Sequence, residues 1–423
     1  MAPKPLMPLD EAWARLRDMV AQHVASNPLS LEQIDSFDAL GRVLAQDLVS
    51  SVAVPPLDNS AMDGYAVRVA DLSGPGAVLP MSQRIAAGQV GATLQPGSCA
   101  RIFTGAPVPA GADAVVMQEH TEAAGAGQVR FNEPVRPGQN IRRAGEDIQS
   151  GQTVLSAGVR LTPAALGVAA SVGAAQVPVY RRARVAVLTT GNELVMPGQP
   201  LPAGAIYNSN RHTLRGLVQA CGAQAADLGV IPDNLEQTRA ALRQAAEGHD
   251  LIITSGGVSV GEEDHLRNAV LAEGGLEFWA LAIKPGKPFV CGWIRRQDGS
   301  TALYMGLPGN PVASYVTFLM LVRPVMDVLG GLGWVLPRPI SLKAKFEWPR
   351  PDKRREFVRV RLDADMEVLL HPHQGSGVLS SAAWSDGLVD LAPQQVVQPG
   401  DTVAYWPVAE LMQPAAHARQ ETA

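Results

Sequence analysis

The amino-acid sequence predicts a multidomain protein of the α/β plus β class. Its 423 residues exceed what one hydrophobic core usually holds and suggest about three domains. From residue 184 onward, apolar runs such as RVAVLTT and DLIIT alternate with helical segments, which favours a largely parallel sheet covered by helices. Short apolar runs between glycines and prolines at 40–155, and alternating runs after residue 333, indicate two β-rich regions.

Two further helices are predicted before the α/β region. Residues 9–24 carry an apolar stripe at helical spacing, formed by Leu9, Trp13, Leu16, Val20 and Val24. A second helix is predicted after Thr162, because threonine is a favourable N-cap and Pro163 suits the first helical position. Gly173 is placed to end that helix.

The composition is that of a soluble globular protein. Hydrophobic residues make up 46% of the chain, charged residues 18%, and the net charge is −5. An acidic balance without a long basic run argues against a nucleic-acid partner, which needs a concentrated basic face. Three widely spaced cysteines, Cys99, Cys221 and Cys291, argue against disulfides and against a thiolate zinc site.

Neither the start of the chain nor its most apolar stretch indicates a membrane. The segment MAPKPLMPLDEAW lacks the charged and apolar regions of a secretory signal. Residues 311–331 are interrupted by Ser314, Thr317, Arg323 and Pro324, which favours a buried helix over a membrane span. We therefore expect a cytoplasmic protein with no membrane partner.

Four motifs fall at the predicted strand ends of the α/β region. They are TTGNEL (189–194), GVIPDN (229–234), SGGVSVGEED (255–264) and MGLPGNP (305–311). A single glycine loop is usually an ordinary turn. Parallel sheets, however, bring the loops at their carboxyl ends to one edge, where ligands bind. The four motifs together therefore predict a ligand cleft.

The third motif fits two known loop types incompletely. Its glycine spacing matches a phosphate loop, but Glu262 and Glu263 stand where that loop requires lysine and a hydroxyl residue. GVSVG also matches the nucleophile elbow of serine hydrolases, with Ser259 as nucleophile. The three acids that follow disfavour the hydrolase, and its partner histidine would have to be His371 or His373, in what is predicted to be another domain. The hydrolase is therefore the least favoured alternative.

Carboxylates next to an anion-binding loop predict a divalent cation. Glu262 and Glu263 are explained by the helix dipole, which favours acids in a first turn. Glu193 and Asp233 lie at other strand ends, and Mg²⁺ is commonly held by one or two carboxylates together with substrate phosphate oxygens. The two lysines of IKPGKPF are either exposed turn residues or point charges for oxyanions.

Seven motifs occur in the order seen in molybdopterin molybdotransferases, the MoeA family, which includes the gephyrin E domain. These motifs are DNSAMDGYAV, TGAPVP, QNIRRAGEDI, TTGNEL, SGGVSVGEED, AIKPGKPF and GLPGNPVAS. The resemblance covers nearly the whole chain. It implies an elongated homodimer in which each active site lies between the α/β domain and the insertion domain of the partner subunit.

The resemblance also implies four domains. A discontinuous helical dimerisation domain is expected at 1–49 with 147–180, and a β-rich insertion domain at 50–146. A MogA-like α/β domain that binds molybdopterin is expected at 181–332, and a C-terminal β-barrel at 333–423.

The activity implied is Mg²⁺-dependent insertion of molybdate into adenylylated molybdopterin, with release of AMP and formation of molybdenum cofactor. A MogA-type adenylyltransferase and molybdoenzyme maturation factors are the expected protein partners. The alternatives are a MogA-like adenylyltransferase, a tungstate-preferring paralogue and a non-catalytic scaffold. The adenylyltransferase is disfavoured because Val258 and Ser259 follow the glycine pair where that family has threonine and glycine.

The resemblance assigns site residues motif by motif. The expected catalytic residues are Asp63, Thr104, Asp147, Glu193, Asp233 and Asp264, of which Glu193, Asp233 and Asp264 would bind the metal. The expected substrate-binding residues are Gly191, Ser255, Gly256, Gly257, Ser259, Lys284, Gly306, Pro308, Gly309, Asn310 and Pro311. The expected molybdate-binding residues are Lys287, Arg359 and Ser376.

Two positions depart from the family pattern. Asn192 replaces the acid of the usual TGDEL, and Asn208 stands where aspartate is common. Asparagine offers a carbonyl oxygen to Mg²⁺ but no charge, so we expect a weaker metal site if position 192 is a ligand.

Overall fold

The computed structural model describes residues 6–231, 234–257 and 265–414. The helices, in chain order, are α1 (Leu9–Ser26), α2 (Pro163–Ser171), α3 (Ser209–Ala220), α4 (Leu235–Gly248), α5 (His265–Glu273), α6 (Pro311–Thr317), α7 (Arg323–Leu329), α8 (Leu379–Trp384) and α9 (Val408–Met412). A π-helical turn at Phe318–Val322 joins α6 to α7.

The strands of the first half of the chain are β1 (Leu31–Asp35), β2 (Leu48–Val49), β3 (Asn59–Ser60), β4 (Gly64–Val67), β5 (Ala77–Ile85), β6 (Cys99–Ile102), β7 (Ala114–Met117), β8 (Thr121–Ala123), β9 (Gln128–Phe131), β10 (Ile141–Arg142), β11 (Thr153–Leu155) and β12 (Gln176–Tyr180). The strands of the α/β region are β13 (Arg184–Thr190), β14 (Leu194–Val195), β15 (Ile206–Tyr207), β16 (Gln224–Ile231), β17 (Leu251–Ser255), β18 (Gly274–Ala280), β19 (Ile283–Lys284), β20 (Pro288–Arg295) and β21 (Thr301–Leu307). The remaining strands are β22 (Ile340–Lys343), β23 (Arg355–Leu362), β24 (Val368–Leu370), β25 (Gly387–Leu391) and β26 (Thr402–Pro407).

The α/β unit is built on a sheet of strand order β16-β13-β17-β21-β20-β18. The first four of these strands pair in parallel, and β20 and β18 add on antiparallel. In register, Thr189 lies opposite Ser255, and Ser255 lies opposite Leu307. The carboxyl ends of three strands that are distant in sequence therefore meet at one edge, as the alternation of strands and helices predicts.

Helix α1 belongs to the core of the α/β unit. Its predicted stripe is confirmed: Leu9, Leu16 and Val20 are fully buried, in one cluster with residues of the sheet. The Trp13 indole donates a hydrogen bond to the Met320 carbonyl oxygen at 2.7 Å. This bond therefore joins α1 to the helical stretch around Met320, which covers the same face of the sheet.

The most apolar stretch of the chain is a core helix, as predicted. Pro311–Leu329, which comprises α6, the π turn and α7, is the one described stretch long and apolar enough to cross a membrane, and 94% of its most apolar window is buried inside the protein. It packs on the sheet together with α1.

Two smaller units precede the α/β unit. The N-terminal unit pairs β1 with β12 and β2 with β11 around α2. Thr162 caps α2 by accepting a hydrogen bond from the Ala165 amide at 3.2 Å, as predicted. The β-rich unit is a sheet of order β7-β4-β6-β5-β9-β8, flanked by the pair β3–β10.

The C-terminal sheet closes into a barrel. Its strand order is β19-β23-β25-β26-β22, and β24 pairs with the far end of β23 along the same edge that β19 occupies. A bridge between Ala344 and Val368 returns the end of β22 to β24, supported by a 2.9 Å hydrogen bond from the Lys345 amide to the Val368 carbonyl oxygen. The multidomain α/β plus β class is thus confirmed.

We expect Leu16→Ala to destabilise the α/β unit by about 2–5 kcal/mol, because it removes a fully buried side chain and leaves a cavity. Urea unfolding followed by fluorescence measures the loss. Arg17→Ala is the matched control on the same helix, since Arg17 is exposed and such surface changes stay within about 0.5 kcal/mol. Equal stability of the two variants would contradict the packing of α1 against the sheet.

Candidate functional site

A cleft of about 380 Å³ opens at the carboxyl edge of β13, β17 and β21. Its lining includes six of the residues expected to bind substrate or metal: Glu193, Ser255, Gly256, Gly309, Asn310 and Pro311. Parallel pairing brings these six together from three separate loops. Three of the four motifs predicted to converge therefore line the cleft, whereas none of the described residues of GVIPDN does.

Glycines contribute bare backbone to the cleft. Gly256 and Gly257 have φ angles of +91° and +62°, which residues with a Cβ rarely adopt. A Cβ on Gly256 would lie too close to the Thr190 carbonyl oxygen, at 2.8 Å, whereas one on Gly309 would make an ordinary contact 3.8 Å from the Gly256 Cα. Bare backbone therefore faces whatever enters the cleft.

Asn210 joins the three walls of the cleft, and sequence reasoning did not single it out. Its Nδ2 donates to the Ser255 Oγ at 2.8 Å and to the Gly309 carbonyl oxygen at 2.7 Å. The Ser255 hydroxyl in turn donates to the Pro308 carbonyl oxygen at 3.4 Å. Its one sequence signal is its place in the YNSNR motif, after a strand and at the start of a helix.

Asn208, one of the two departures from the family pattern, has a structural role. Its Oδ1 caps α3 by accepting from the Arg211 amide at 3.2 Å, and its Nδ2 donates to the Thr189 Oγ1 at 2.8 Å. The side chain is buried. An aspartate could make the cap but could not donate to Thr189, so asparagine satisfies both partners.

Glu193 is the expected metal ligand that the structure describes. It is exposed at the cleft, and its carboxylate folds over Gly191, where a Cβ would lie 2.6 Å from its Oε2. Gly191, with φ +141°, is thus needed for the side chain to lie there. Asp233, Asp264 and Ser259 lie outside the described residues.

The donor chemistry at the cleft fits a hard cation such as Mg²⁺. Within the described ranges no group of three histidine, cysteine, aspartate or glutamate side chains is arranged around a metal. The cleft does offer one carboxylate and hydroxyl oxygens, from Glu193, Thr190 and Ser255. Mg²⁺ retains several waters and takes few protein ligands when it also binds substrate phosphates.

The two predicted lysines differ in their surroundings. The Lys284 ammonium lies 2.8 Å from the buried Glu356 carboxylate and 3.5 Å from Asp352. This ion pair ties the α/β unit to the barrel. Lys287 is exposed and forms no ion pair with the described residues, so its ammonium is available to an oxyanion.

Arg359 is buried, which sequence reasoning did not foresee. It is only 1% exposed, and its guanidinium donates to the Ser381 hydroxyl and to the carbonyl oxygens of Phe357 and Gly375. Burial lowers the pKa of the Arg359 guanidinium to about 10. The carbonyl oxygen of Ser376, next to Gly375, accepts from the first free amide of α6 at 2.9 Å. Arg359 thus holds a barrel loop against the helix that begins at the cleft.

Two of the three residues expected from the β-rich region pair with each other. The amide and the hydroxyl of Thr104 both donate to the Asp63 Oδ1 at 2.8 Å. The Thr104 amide, followed by its hydroxyl, lowers the pKa of the Asp63 carboxyl. Asp147 is exposed, and its amide donates to Val54 at 3.0 Å. These bonds all lie within residues 50–147, and none of the described residues in that range lines the cleft.

The remaining expected residues frame the cleft through the backbone. Gly306 lies inside β21, paired with Thr254 and with Val290. Pro308 supplies the carbonyl oxygen that Ser255 bonds, and Pro311 begins α6.

Three family models match successive parts of the chain. They are the MoeA N-terminal region (domain I and II) at residues 7–173, a probable molybdopterin binding domain at 186–328, and the MoeA C-terminal region (domain IV) at 341–408. Together the three cover most of the chain in the order expected.

Known relatives match over nearly their full length. The molybdopterin molybdenumtransferase of Haemophilus influenzae is 38% identical over 414 residues, which is 96% of this chain and 100% of that protein. Molybdopterin molybdenumtransferase 2 of Mycobacterium tuberculosis is 40% identical over 374 residues, 85% of this chain and 90% of that protein.

Solved structures of MoeA proteins have the same overall fold as this chain. The molybdopterin biosynthesis MoeA protein of Pyrococcus horikoshii superposes with a TM-score of 0.80 at 27% identity, over 95% of this chain and 100% of that one. A second structure of a MoeA protein from that organism gives a TM-score of 0.76 at 30% identity, over 95% and 99%. Because the sequence matches extend over whole relatives and the folds agree, the chain belongs to the MoeA family of molybdopterin molybdenumtransferases.

Proposed function

We propose that this chain inserts molybdate into adenylylated molybdopterin, releasing AMP and forming molybdenum cofactor, with Mg²⁺ as cofactor. The observation that carries the proposal is the cleft itself, where bare glycine backbone and the Glu193 carboxylate lie together. Such a cleft suits a phosphate that arrives with a divalent cation. The names of its relatives, which are molybdopterin molybdenumtransferases, support the transfer of molybdenum to molybdopterin.

The proposed reaction needs no redox partner. Two Mo–S bonds replace two Mo–O bonds, and the two oxygens leave as hydroxide with the dithiol protons. A water molecule cleaves the phosphoanhydride bond, and AMP leaves. No cysteine of the protein takes part, since the substrate carries the sulfur; burial raises the pKa of the Cys99 and Cys221 thiols to about 11 and about 12, which keeps them unreactive.

The residues of the cleft bind and orient the substrates. Ser255, Gly256 and Gly309 would receive the pterin nucleotide, with Asn210 keeping their loops in place. Lys287 would attract molybdate as a free point charge, with the loop of Ser376 beside it. Holding the two substrates together supplies proximity.

Magnesium, when bound, would offset the charge that develops on the departing phosphate. Glu193 would hold it, and Asp233 and Asp264 are the further ligands we propose.

The second subunit would complete the site. Asp63 and Thr104 are bonded to each other on the β-rich unit, and no described residue of that unit lines the cleft of the same chain. We propose a homodimer in which this pair and Asp147 reach the cleft of the partner subunit.

A MogA-type adenylyltransferase would supply the adenylylated substrate in the cytoplasm.

AMP release from adenylylated molybdopterin, in the presence of molybdate and Mg²⁺, tests the proposed reaction directly. We expect Glu193→Gln to lower the rate about 10–100-fold, because it removes a charge that orients the metal. Glu236→Gln, an exposed change on α4, should leave the rate unchanged. If wild-type protein releases no AMP, or releases it equally well without magnesium, the reaction is not the one proposed. Running the assay with tungstate in parallel separates the tungstate-preferring alternative.

Asn210→Ala should raise KM for adenylylated molybdopterin about tenfold with a smaller effect on kcat, because two hydrogen bonds that fix the cleft loops are lost. Steady-state kinetics measures both constants. The matched control is Asn27→Ala. The Asn27 side chain donates a hydrogen bond to the last turn of α1, which is far from Asn210 in the chain. An unchanged KM would show that Asn210 does not position the substrate loops.

Mixed dimers test whether the site is shared between subunits. We expect Glu193→Gln, and likewise Asp63→Asn, each to keep about one tenth of wild-type activity or less alone. Co-expressed, they should recover about one quarter of wild-type activity, because half of the dimers are mixed and each mixed dimer has one intact site. Activity of the mixture no higher than that of the single variants would place Asp63 and Glu193 in the same site of one chain, or in no common site.

A further inference from the structure

Four arginines meet where the N-terminal unit joins the α/β unit, away from the cleft. We call Arg42, Arg160, Arg182 and Arg323 the arginine cluster. The first three line a small cavity of about 30 Å³. None of them belongs to the proposed reaction.

Backbone contacts show that the guanidinium groups of the cluster converge. Arg182 Nη1 donates to the Gly222 carbonyl oxygen at 3.0 Å, and a Cβ on Gly222 would lie 3.5 Å from Arg160 Nη1. Arg160 also reaches the Gly41 carbonyl oxygen at 3.5 Å, next to Arg42. Three positive charges therefore share the wall of one cavity, which the Asp327 carboxylate also lines.

Two carboxylates do not balance these charges. Asp327 is shared between Arg323 at 2.6 Å and Arg160 at 3.3 Å, and Glu32 pairs with Arg42. Arg182 makes no ion pair with any residue in the described ranges. Four cations thus face two anions, which leaves two positive charges without a counter-charge at a largely buried joint.

Arginine does not escape this imbalance by losing its proton. Burial, with the neighbouring charges of Arg42 and Arg160, lowers the pKa of the Arg182 guanidinium, but an arginine pKa starts far above neutrality. Some hydrogen-bond donors of the cluster are also unsatisfied. Three buried nitrogens have no hydrogen-bond partner among the described residues: Arg160 Nε, Arg323 Nε and Arg323 Nη2. Unpaired buried charge is strongly unfavourable.

We propose that the cavity binds one small monovalent anion of the size of chloride, held between Arg42, Arg160 and Arg182. About 10–15 Å³ of such space accommodates one water, so 30 Å³ takes a monatomic ion and excludes a nucleotide or a pterin. A water molecule would satisfy the donors but would not offset the charge. The anion links arginines of the N-terminal unit to Arg182 at the start of the α/β unit.

The thermal stability of the full chain tests this site. Apparent Tm is measured in sodium chloride and in sodium gluconate at equal ionic strength and pH, since gluconate is too large for the cavity. We expect a saturable rise of about 2–4 °C in chloride, and the same rise in bromide. Equal Tm values in chloride and gluconate at all concentrations would overturn the proposal.

Arg182→Gln separates a bound anion from a merely structural arginine. The variant should lose the chloride response and show the same Tm in chloride and in gluconate, because it removes the charge that would hold the anion. A structural role alone predicts the same loss of stability in both salts. Arg243→Gln, an exposed change on α4, should keep the full response. A chloride response retained by Arg182→Gln would overturn the site.

If Arg182→Gln does not fold, wild-type crystals grown in bromide decide the question. An anomalous peak between Arg42, Arg160 and Arg182 supports the site. Neutral water alone at that position, in bromide-saturated crystals, refutes it.

Discussion

The parallel pairing of β13, β17 and β21 is the constraint on which the rest of the molecule depends. Because Thr189 lies opposite Ser255 and Ser255 opposite Leu307, the loops after these strands are forced to one edge. A shift in register of one residue would move each side chain to the opposite face of the sheet, and so from one hydrophobic cluster into the other. The buried residues of α1 and of the helix that starts at Pro311 cover one face of the sheet, so the hydrophobic core and the cleft are specified by the same pairing.

The cleft has a rigid floor, and its neighbourhood is fixed by other units. Glycine backbone and the Asn210 amide define its shape, while the barrel loop of Ser376 bonds the start of α6, where the cleft begins. The β-rich unit carries Asp63 already oriented by Thr104. Preorganised groups of this kind lose little freedom when a substrate binds. Each unit therefore holds its polar side chains in place by hydrogen bonds or ion pairs, so that they are not flexible.

Much of the fold could be predicted from sequence, since it depends on local patterns. The stripe of α1, the Thr162 cap and the strand ends that form the cleft were all recognisable. The partners of single polar side chains were not, because they are chosen by tertiary contacts. The apolar stripe of α1 predicts burial but not against which unit. Nothing in IKPGKPF indicates that Lys284 meets Glu356 in the barrel, and the alternation around Arg359 does not reveal that both faces of its strand are covered. Asn210 was overlooked because an amide carries no charge signal.

The helix from Pro311 to Leu329 begins at the cleft and ends among the arginines of the joint. At 1.5 Å per residue its 19 residues span about 28 Å. The π turn in its middle accommodates one extra residue and so sets the rotation of the second half relative to the first. Deleting a single residue there would swing Arg323 and Asp327 by roughly 100° away from their partners. The π turn thus fixes the rotation of α7 relative to α6. Insertions or deletions within the turn should therefore be tolerated far less than substitutions.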